Sequence, residues 1–431
     1  MICSNLQNRA GTLFFGGCDT TALIEKHGSP LYVMDEARIR HNCRTYVTAL
    51  REHLGKTARP LYASKAASFK RIYEIMREEG MGVDVVSCGE IYTAYKAGFP
   101  LANAYFHSNN KTDADIAFAI EHGIGYFVAD NVEELNAVNR IAAEMDKEQK
   151  VLLRLTPGID PHTYAEVATG KVDSKFGSAI ETGQAEQITA YALTLPHIHL
   201  SGFHCHVGSQ VFDSDVFLRA SDIMLEFVAD MQKKYHYLAE ELDLGGGYGV
   251  RYVESDPTID IAANIAEVAA HLKAKAAELN IPLPAIRMEP GRSIVADAGL
   301  TLYRVGTIKK IPGYKNYVSV DGGMTDNPRF ALYKSSYTVL LANKLDEPCE
   351  FECSVVGRCC ESGDILQEHV KLPASVTRDD VLAVLTTGAY NYAMSSNYNR
   401  ITKLPIVMVN DGMDYLAVRR ESLEDLVRND L

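Results

Sequence analysis

Much that would place this chain in a specialised class is missing from it. No apolar run approaches the ~20 residues needed to cross a bilayer. Residues 1–12 hold no basic segment followed by an apolar core, so no export signal is expected, and a cytoplasmic location is. No Cys-x-x-Cys pair occurs. The nine cysteines are an odd number scattered over 431 residues, which suits reduced thiols better than a disulfide framework. Cys349 and Cys353 have no second pair with which to build a structural zinc site, and no metal is expected. Lysine and arginine number 43 against 56 aspartates and glutamates, a net charge of −13, and they form no cluster. Such a chain is a poor binder of nucleic acid and of membrane surfaces. Internal repeats and low-complexity tracts are absent too. What remains is the composition of a folded protein, 47% hydrophobic and 23% charged, in a chain too long for one ordinary core.

From residue 61 to residue 289 short apolar runs alternate with helical patterns. Strands are expected at 61–64, 83–87, 104–108, 126–130, 151–155, 202–207, 241–244 and 286–289. Between most of them apolar residues recur every three or four positions, as in Ile72, Ile75, Met76 and in Ile116, Ala119, Ile120. Strands alternating with helices imply parallel βαβ units. Eight units fit a (β/α)8 barrel, for which about 250 residues is typical. An open doubly wound sheet is the alternative, because periodicity does not encode closure. The stretch 156–201 is long for one connection, so a functional loop followed by a helix is expected there. After about residue 298 strand-like runs dominate, at 302–308, 317–320, 350–356, 381–385, 406–409 and 415–419. Two further pieces, 12–15 and 31–33, are expected to join them. The division expected is a barrel over 36–297 and a β-rich domain over 1–35 and 298–431.

In such barrels chemistry sits at the C-terminal ends of the strands. Those ends carry Lys65, Asp84, Ser87, His107, Arg154, His204, His206, Gly245, Gly246, Gly247 and Glu289. Lys65, just past the first strand, reads either as a surface lysine or as an amine kept partly desolvated for covalent catalysis. The three glycines allow close backbone approach and can aim N–H groups at a phosphate, and Glu289-Pro290-Gly291-Arg292 ends the eighth strand beside them. Glu289 can pair with a pyridinium nitrogen or be an ordinary salt-bridged glutamate. His204 and His206, two apart, are expected on one face of a strand. They read as hydrogen-bonded core histidines or as a metal pair completed by Asp84, His107 or Asp243, as in a barrel hydrolase. The second domain carries Cys359-Cys360-Glu361-Ser362-Gly363-Asp364, with the character of a polar turn, and Gly388-Ala389-Tyr390.

Five ordered motifs are Tyr62-Ala63-Ser64-Lys65-Ala66, Gly202-Phe203-His204-Cys205-His206-Val207-Gly208-Ser209-Gln210, Asp243-Leu244-Gly245-Gly246-Gly247, Glu289-Pro290-Gly291-Arg292 and Cys360-Glu361-Ser362-Gly363-Asp364. Through them the chain resembles the barrel-type pyridoxal-phosphate decarboxylases of basic amino acids, from about residue 29 to residue 419. The resemblance implies an alanine-racemase-like fold, a barrel with a second, mainly β domain. It implies pyridoxal 5'-phosphate held covalently by Lys65, with His204 against its ring and Glu289 on its nitrogen. Asp84, Ser209, Gly245, Gly246, Gly247, Gly291, Arg292 and Tyr390 are the remaining cofactor contacts that it implies. It also implies a homodimer in which Cys360, the proton donor, and Glu361 reach the site of the second copy.

The resemblance leaves a substrate to choose, and charge matching chooses it. Arg292 and Arg329, with Tyr333 and Tyr390, suit a carboxylate at the far end of the substrate, and Glu361 suits an ammonium there. The run Asn327-Pro328-Arg329-Phe330-Ala331-Leu332-Tyr333 and Glu361 favour meso-2,6-diaminopimelate, giving L-lysine and CO2. Other diamino acids or carboxylated polyamines are the alternatives on the same fold. A barrel metal hydrolase is the alternative from another class.

Overall fold

The computed structural model describes residues 2–159 and 175–431. It separates into two compact units. One comprises residues 43–249 and 258–291, and the other residues 1–42, 250–257 and 292–431.

The first unit is a closed parallel barrel. Its strands are β1 (Arg59–Ala63), β2 (Gly82–Val85), β3 (Ala104–Phe106), β4 (Tyr126–Ala129), β5 (Gln149–Thr156), β6 (Ile198–His204), β7 (Glu241–Asp243) and β8 (Ala285–Met288). Each pairs in parallel with the next, and β8 returns to β1 through Arg287↔Arg59 and Met288↔Pro60. The return pairing excludes the open sheet. The strands read as continuous apolar runs because they are covered on both faces, as parallel sheets require. Leu61, Tyr105, Val128 and Leu152 fill part of the interior.

On the side where β4 and β7 begin, Tyr105 and Tyr126 stack with their centroids 4.2 Å apart, and both hydroxyls donate to Glu241. Arg287 completes that cluster at 2.7 Å from Glu241 Oε1. The paired charges and hydroxyls satisfy one another, so polar residues can close that side of a buried barrel.

Several strand-to-helix turns end in a side-chain cap. Ser87, Thr112, Asn131 and Asp260 accept from the first-turn N–H groups of the helices Cys88–Lys96, Asp113–Glu121, Val132–Glu144 and Ile261–Glu278. The connection expected at 156–201 does contain a helix, Gln184–Ala192. Much of the loop expected before it, residues 160–174, lies outside the described residues.

The second unit is built on the long strand Gly299–Ile311. It pairs antiparallel with Leu31–Asp35, with Val381–Leu385 and with Lys315–Val320. Leu31–Asp35 in turn lies parallel to Ile406–Asn410. The strands Thr12–Phe15 and Leu31–Asp35 lie within this unit. Leu13, Phe15, Leu31, Val33, Leu300, Leu302, Ala383 and Val407 share its core.

Candidate active site

The C-terminal ends of β2, β3, β6 and β8 bring Asp84, His107, His204 and Glu289 together, all buried. Glu289 is the centre. His204 Nε2 lies 3.2 Å from its Oε2 in a hydrogen bond, and His107 Nε2 lies 2.8 Å from its Oε1 with poor alignment. His107 Nε2 is also 3.8 Å from Asp84 Oδ1. The two imidazoles meet edge to face, with centroids 4.9 Å apart. The loop that carries His107 is pinned by Lys111, whose Nζ donates to Ser108 O, Val128 O and Glu134 Oε1 at 2.7–3.1 Å. A buried ammonium is tolerable only when satisfied in this way.

Burial sets the charge states here. It pushes the His107 imidazolium down to about 4, and it lowers His204 as well. It raises the Asp84 carboxyl well above the ordinary range, reinforced by Glu289. Burial also opposes the Glu289 carboxylate, but the two imidazoles outweigh it and hold that group well below its ordinary value. A pH dependence follows. The folded pKa of His107 lies below its unfolded value of 6.5, so the unfolded chain binds more protons between the two. The stability tied to His107 is complete above pH 6.5 and is lost as pH falls toward 4. Thermal unfolding of the cofactor-free protein from pH 7 to pH 4.5 should show the decline, and His107→Asn should flatten it. Equal slopes in the two proteins would remove His107 as a cause.

The ends of the other strands complete this group. Lys65 lies on the short 3-10 turn Ser64–Ala66 directly after β1. Its side chain is exposed. The turn is fixed by Glu90, whose Oε2 accepts from Ser64 Oγ and from Val86 N, both at 2.7 Å. Arg154 on β5 is half-buried, with its guanidinium 4.3 Å from the centre of the Phe176 ring. Ser209 is half-buried, on the segment that follows β6. His206 also lies past the end of β6, so it does not share a strand face with His204 as expected. Among the described residues, the potential ligands that lie within 4.8 Å of one another are His107, His204 and Glu289, and His206 is not in that group.

After β7 the glycines do what no other residue could. Gly245 and Gly247 have φ of +68° and +135°. A Cβ on Gly246 would lie 2.1 Å from Glu289 O, so only glycine permits this approach to the β8 turn. Asp243 Oδ1 holds the turn by accepting from Gly245 N at 2.8 Å. A Cβ on Gly291 would come within 2.9 Å of Ala63 Cβ.

Five buried polar atoms of this group have no hydrogen-bond partner among the described residues. They are Asp84 Oδ1, His107 Nε2, His204 Nδ1, Asp243 Oδ2 and Glu289 Oε1. Isolated orphans are rare in native proteins and a cluster of them calls for an explanation. A polar ring with an anionic group, set against the glycine turn, supplies one.

The remaining predicted residues lie in the β-rich unit, in two groups. Arg292 is buried and donates to Tyr252 Oη at 2.7 Å, with its guanidinium 4.6 Å from the centre of the Tyr390 ring. Arg329, also buried, lies 5.0 Å from Tyr390 and 5.3 Å from Tyr333. Arg329 has no carboxylate partner among the described residues, and its Nε has no acceptor. Tyr390 holds φ +59°, a conformation that bulky residues seldom adopt, and it places the ring against both guanidinium groups. Cys360 and Glu361 form the second group, on an exposed turn where Cys360 N donates to Asn399 Oδ1 at 2.7 Å. Cys359 beside them is buried, which pushes its thiol up to about 11. Nothing in the sequence marks Glu90, Lys111 or Tyr252. Each looks like an ordinary helix, loop or tyrosine residue there, and only the contacts distinguish them.

Residues 36–296 match the family described as pyridoxal-dependent decarboxylase, pyridoxal binding domain. The diaminopimelate decarboxylase of Bacillus subtilis is 43% identical over 425 residues, covering 99% of this chain and 96% of the relative. The chain belongs to the diaminopimelate decarboxylase family. Its fold is that of the family's solved structures. Diaminopimelate decarboxylase from M. jannaschii, in co-complex with L-lysine, superposes with a TM-score of 0.92 at 32% identity, over 99% of this chain and 98% of that one. The Helicobacter pylori enzyme complexed with L-lysine gives 0.85 at 30% identity, over 95% and 98%. The cofactor of the family is pyridoxal phosphate, and the orphaned polar atoms and glycine turn at the barrel mouth fit it.

Proposed function

We propose that this chain converts meso-2,6-diaminopimelate to L-lysine and CO2, the last step of lysine biosynthesis. We propose further that it works in the cytoplasm as a homodimer with shared sites. The observation that carries the substrate is Arg329, a buried guanidinium with no carboxylate partner among the described residues. A buried cation without a counter-ion is costly, and a ligand carboxylate would relieve it. Lys65, Asp84, His204, Ser209, Gly245, Gly246, Gly247, Glu289, Gly291, Arg292 and Tyr390 are the residues assigned to the cofactor.

When bound, pyridoxal phosphate supplies an electron sink for the pair left by departing CO2. The protein's own share is placement and proton handling. Lys65 offers the amine. Glu289, held ionised by two imidazoles, presents an anion to a protonated ring nitrogen. Arg329 and Arg292, with Tyr333 and Tyr390, grip the far carboxylate, and Glu361 takes the far ammonium. Holding both ends fixes the orientation of the reacting carboxylate, and much of the rate gain is expected from that. Cys360, exposed on its turn, is the donor that returns a proton to the substrate carbon. Cys360 and Glu361 serve the site of the second copy.

The test is direct. Purified protein with pyridoxal phosphate and meso-diaminopimelate should yield lysine and CO2 in equal amounts, unaffected by a chelator. A bright yellow protein that makes no lysine would keep the fold and move the substrate to ornithine, arginine or a carboxylated polyamine. A barrel hydrolase using His107, His204 and Glu289 as metal ligands predicts the opposite response to the chelator. It also leaves Lys65, the glycine turn and Arg329 without a task.

A further inference from the structure

Two segments of the β-rich unit carry the residues proposed to recognise and protonate the substrate. One runs from Gly322 through Asn327 into Arg329. The other is the turn from Gly357 to Asp364, which holds Cys360 and Glu361. A single buried carboxylate joins them. Asp364 Oδ1 accepts from Met324 N at 2.6 Å, and Asp364 Oδ2 accepts from Cys359 N at 2.7 Å. Around that carboxylate the backbones are sewn together. Arg358 N donates to Gly322 O at 2.9 Å, Gly357 N to Asp364 O at 3.0 Å and Asp364 N to Glu361 O at 3.1 Å.

The glycines show how little room is left. A Cβ on Gly323 would lie 2.6, 2.7 and 3.0 Å from the three atoms of the Asp364 carboxyl group. One on Gly357 would lie 2.3 and 2.5 Å from its oxygens. Neither glycine has a positive φ, so these close approaches, not backbone conformation, demand glycine. Asp326 steadies the other end of the first segment. It accepts from Gly323 N at 3.0 Å and from Tyr303 Oη at 2.5 Å, and Tyr32 Oη donates to its carbonyl.

We propose that Asp364 is a positioning residue whose carboxylate locks the Cys360–Glu361 turn to the segment leading into Arg329, so that proton donor and distal-end recognition are set as one rigid piece. The inference rests on the roles proposed above for Cys360, Glu361 and Arg329. Carboxylate chemistry is required at this point, since two N–H groups arrive from two segments and both need an acceptor. An asparagine would offer one oxygen and would turn its amide hydrogens toward the other N–H.

The test uses full-length holoenzyme with Asp364→Asn, and with Gly323→Ala as a variant that presses on the same carboxylate without altering it. In both, kcat should fall on the order of 10²-fold, the loss typical of a misplaced catalytic group. KM for meso-diaminopimelate should rise several-fold, because the distal grip shifts too. The visible absorbance of the bound cofactor should stay as in wild type, because no barrel residue is touched.

A second readout needs no turnover. In wild type, maleimide should label Cys360, read by peptide mass spectrometry, and leave the buried Cys359 unlabelled. In both variants Cys359 should become labelled at a comparable rate. A kcat and KM within twofold of wild type would overturn the proposal, as would a Cys359 that stays protected. If Asp364→Asn is insoluble, Gly323→Ala carries the same outcomes. If wild type makes no lysine, the substrate reading fails, and the labelling pattern alone decides whether Asp364 locks the turn.

Discussion

Lys65→Ala is expected to reduce lysine formation to the detection limit. It should also leave a protein whose cofactor can be dialysed away. Lys65 is the first lysine after β1, on a turn fixed by Glu90, at the C-terminal side of the barrel where chemistry collects. Its side chain is exposed, so removing it should barely affect folding; surface changes of this kind stay within about 0.5 kcal/mol. Lys111, past the end of β3, cannot stand in. Its ammonium is buried and committed to Glu134 and two carbonyls.

Lys65→Arg is the sharper variant. It keeps a positive charge close to Asp84 and Glu90, whose carboxyl groups both respond to the charge of Lys65. A guanidinium, however, does not surrender its proton and so supplies no nucleophilic amine. Both variants should fail alike, with melting temperatures near wild type when all are compared free of cofactor. Substantial turnover in either would sink the assignment of Lys65.

The sequence marks some elements clearly and others not at all. The eight barrel strands stand out because each is a short apolar run bounded by turns, and seven helical patterns or loops separate them. Closure was not legible, since it rests on the pairing of β8 with β1 and no local signal carries it. In the β-rich unit the strand Ile365–Leu372 escaped prediction. Its middle is Gln367-Glu368-His369, His369 has φ +53°, and a bulge breaks its register against Phe351–Val356. Polar residues on an irregular strand look like loop.

Among the site residues, positions were readable and surroundings were not. Lys65 is legible by its place just past a strand, but whether it is exposed is not settled by the sequence, and the fold shows it exposed. His107 was noted at a strand end, yet its 2.8 Å approach to Glu289 depends on residues 182 positions apart meeting across the barrel. His204 and His206 were read as strand neighbours, but β6 ends at His204 and the chain then turns away from strand geometry. The lack of a carboxylate beside Arg329 among the described residues is likewise a property of the fold, invisible in a sequence with 56 acidic residues.

That missing partner makes the second large effect. Arg329→Ala should raise KM for meso-diaminopimelate by at least about 30-fold, because truncating one member of a buried charge pair costs about 2–5 kcal/mol. Arg329→Lys should recover only part of this, since an ammonium is a point charge without the guanidinium's fork, and it stacks less well on Tyr333 and Tyr390. The division between constants is informative. Lost ground-state grip raises KM, whereas lost orientation of the reacting carboxylate lowers kcat, and a clamp that does both should move both.

The product gives an independent check. L-lysine keeps the far carboxylate that Arg329 is proposed to hold, so its inhibition constant should weaken in parallel with KM. An amine lacking that carboxylate should bind wild type and variant alike. Unchanged KM and unchanged lysine inhibition would take Arg329 out of the site. The guanidinium would then be a structural cation held by its two tyrosine rings, and the choice of diaminopimelate would lose its physical basis.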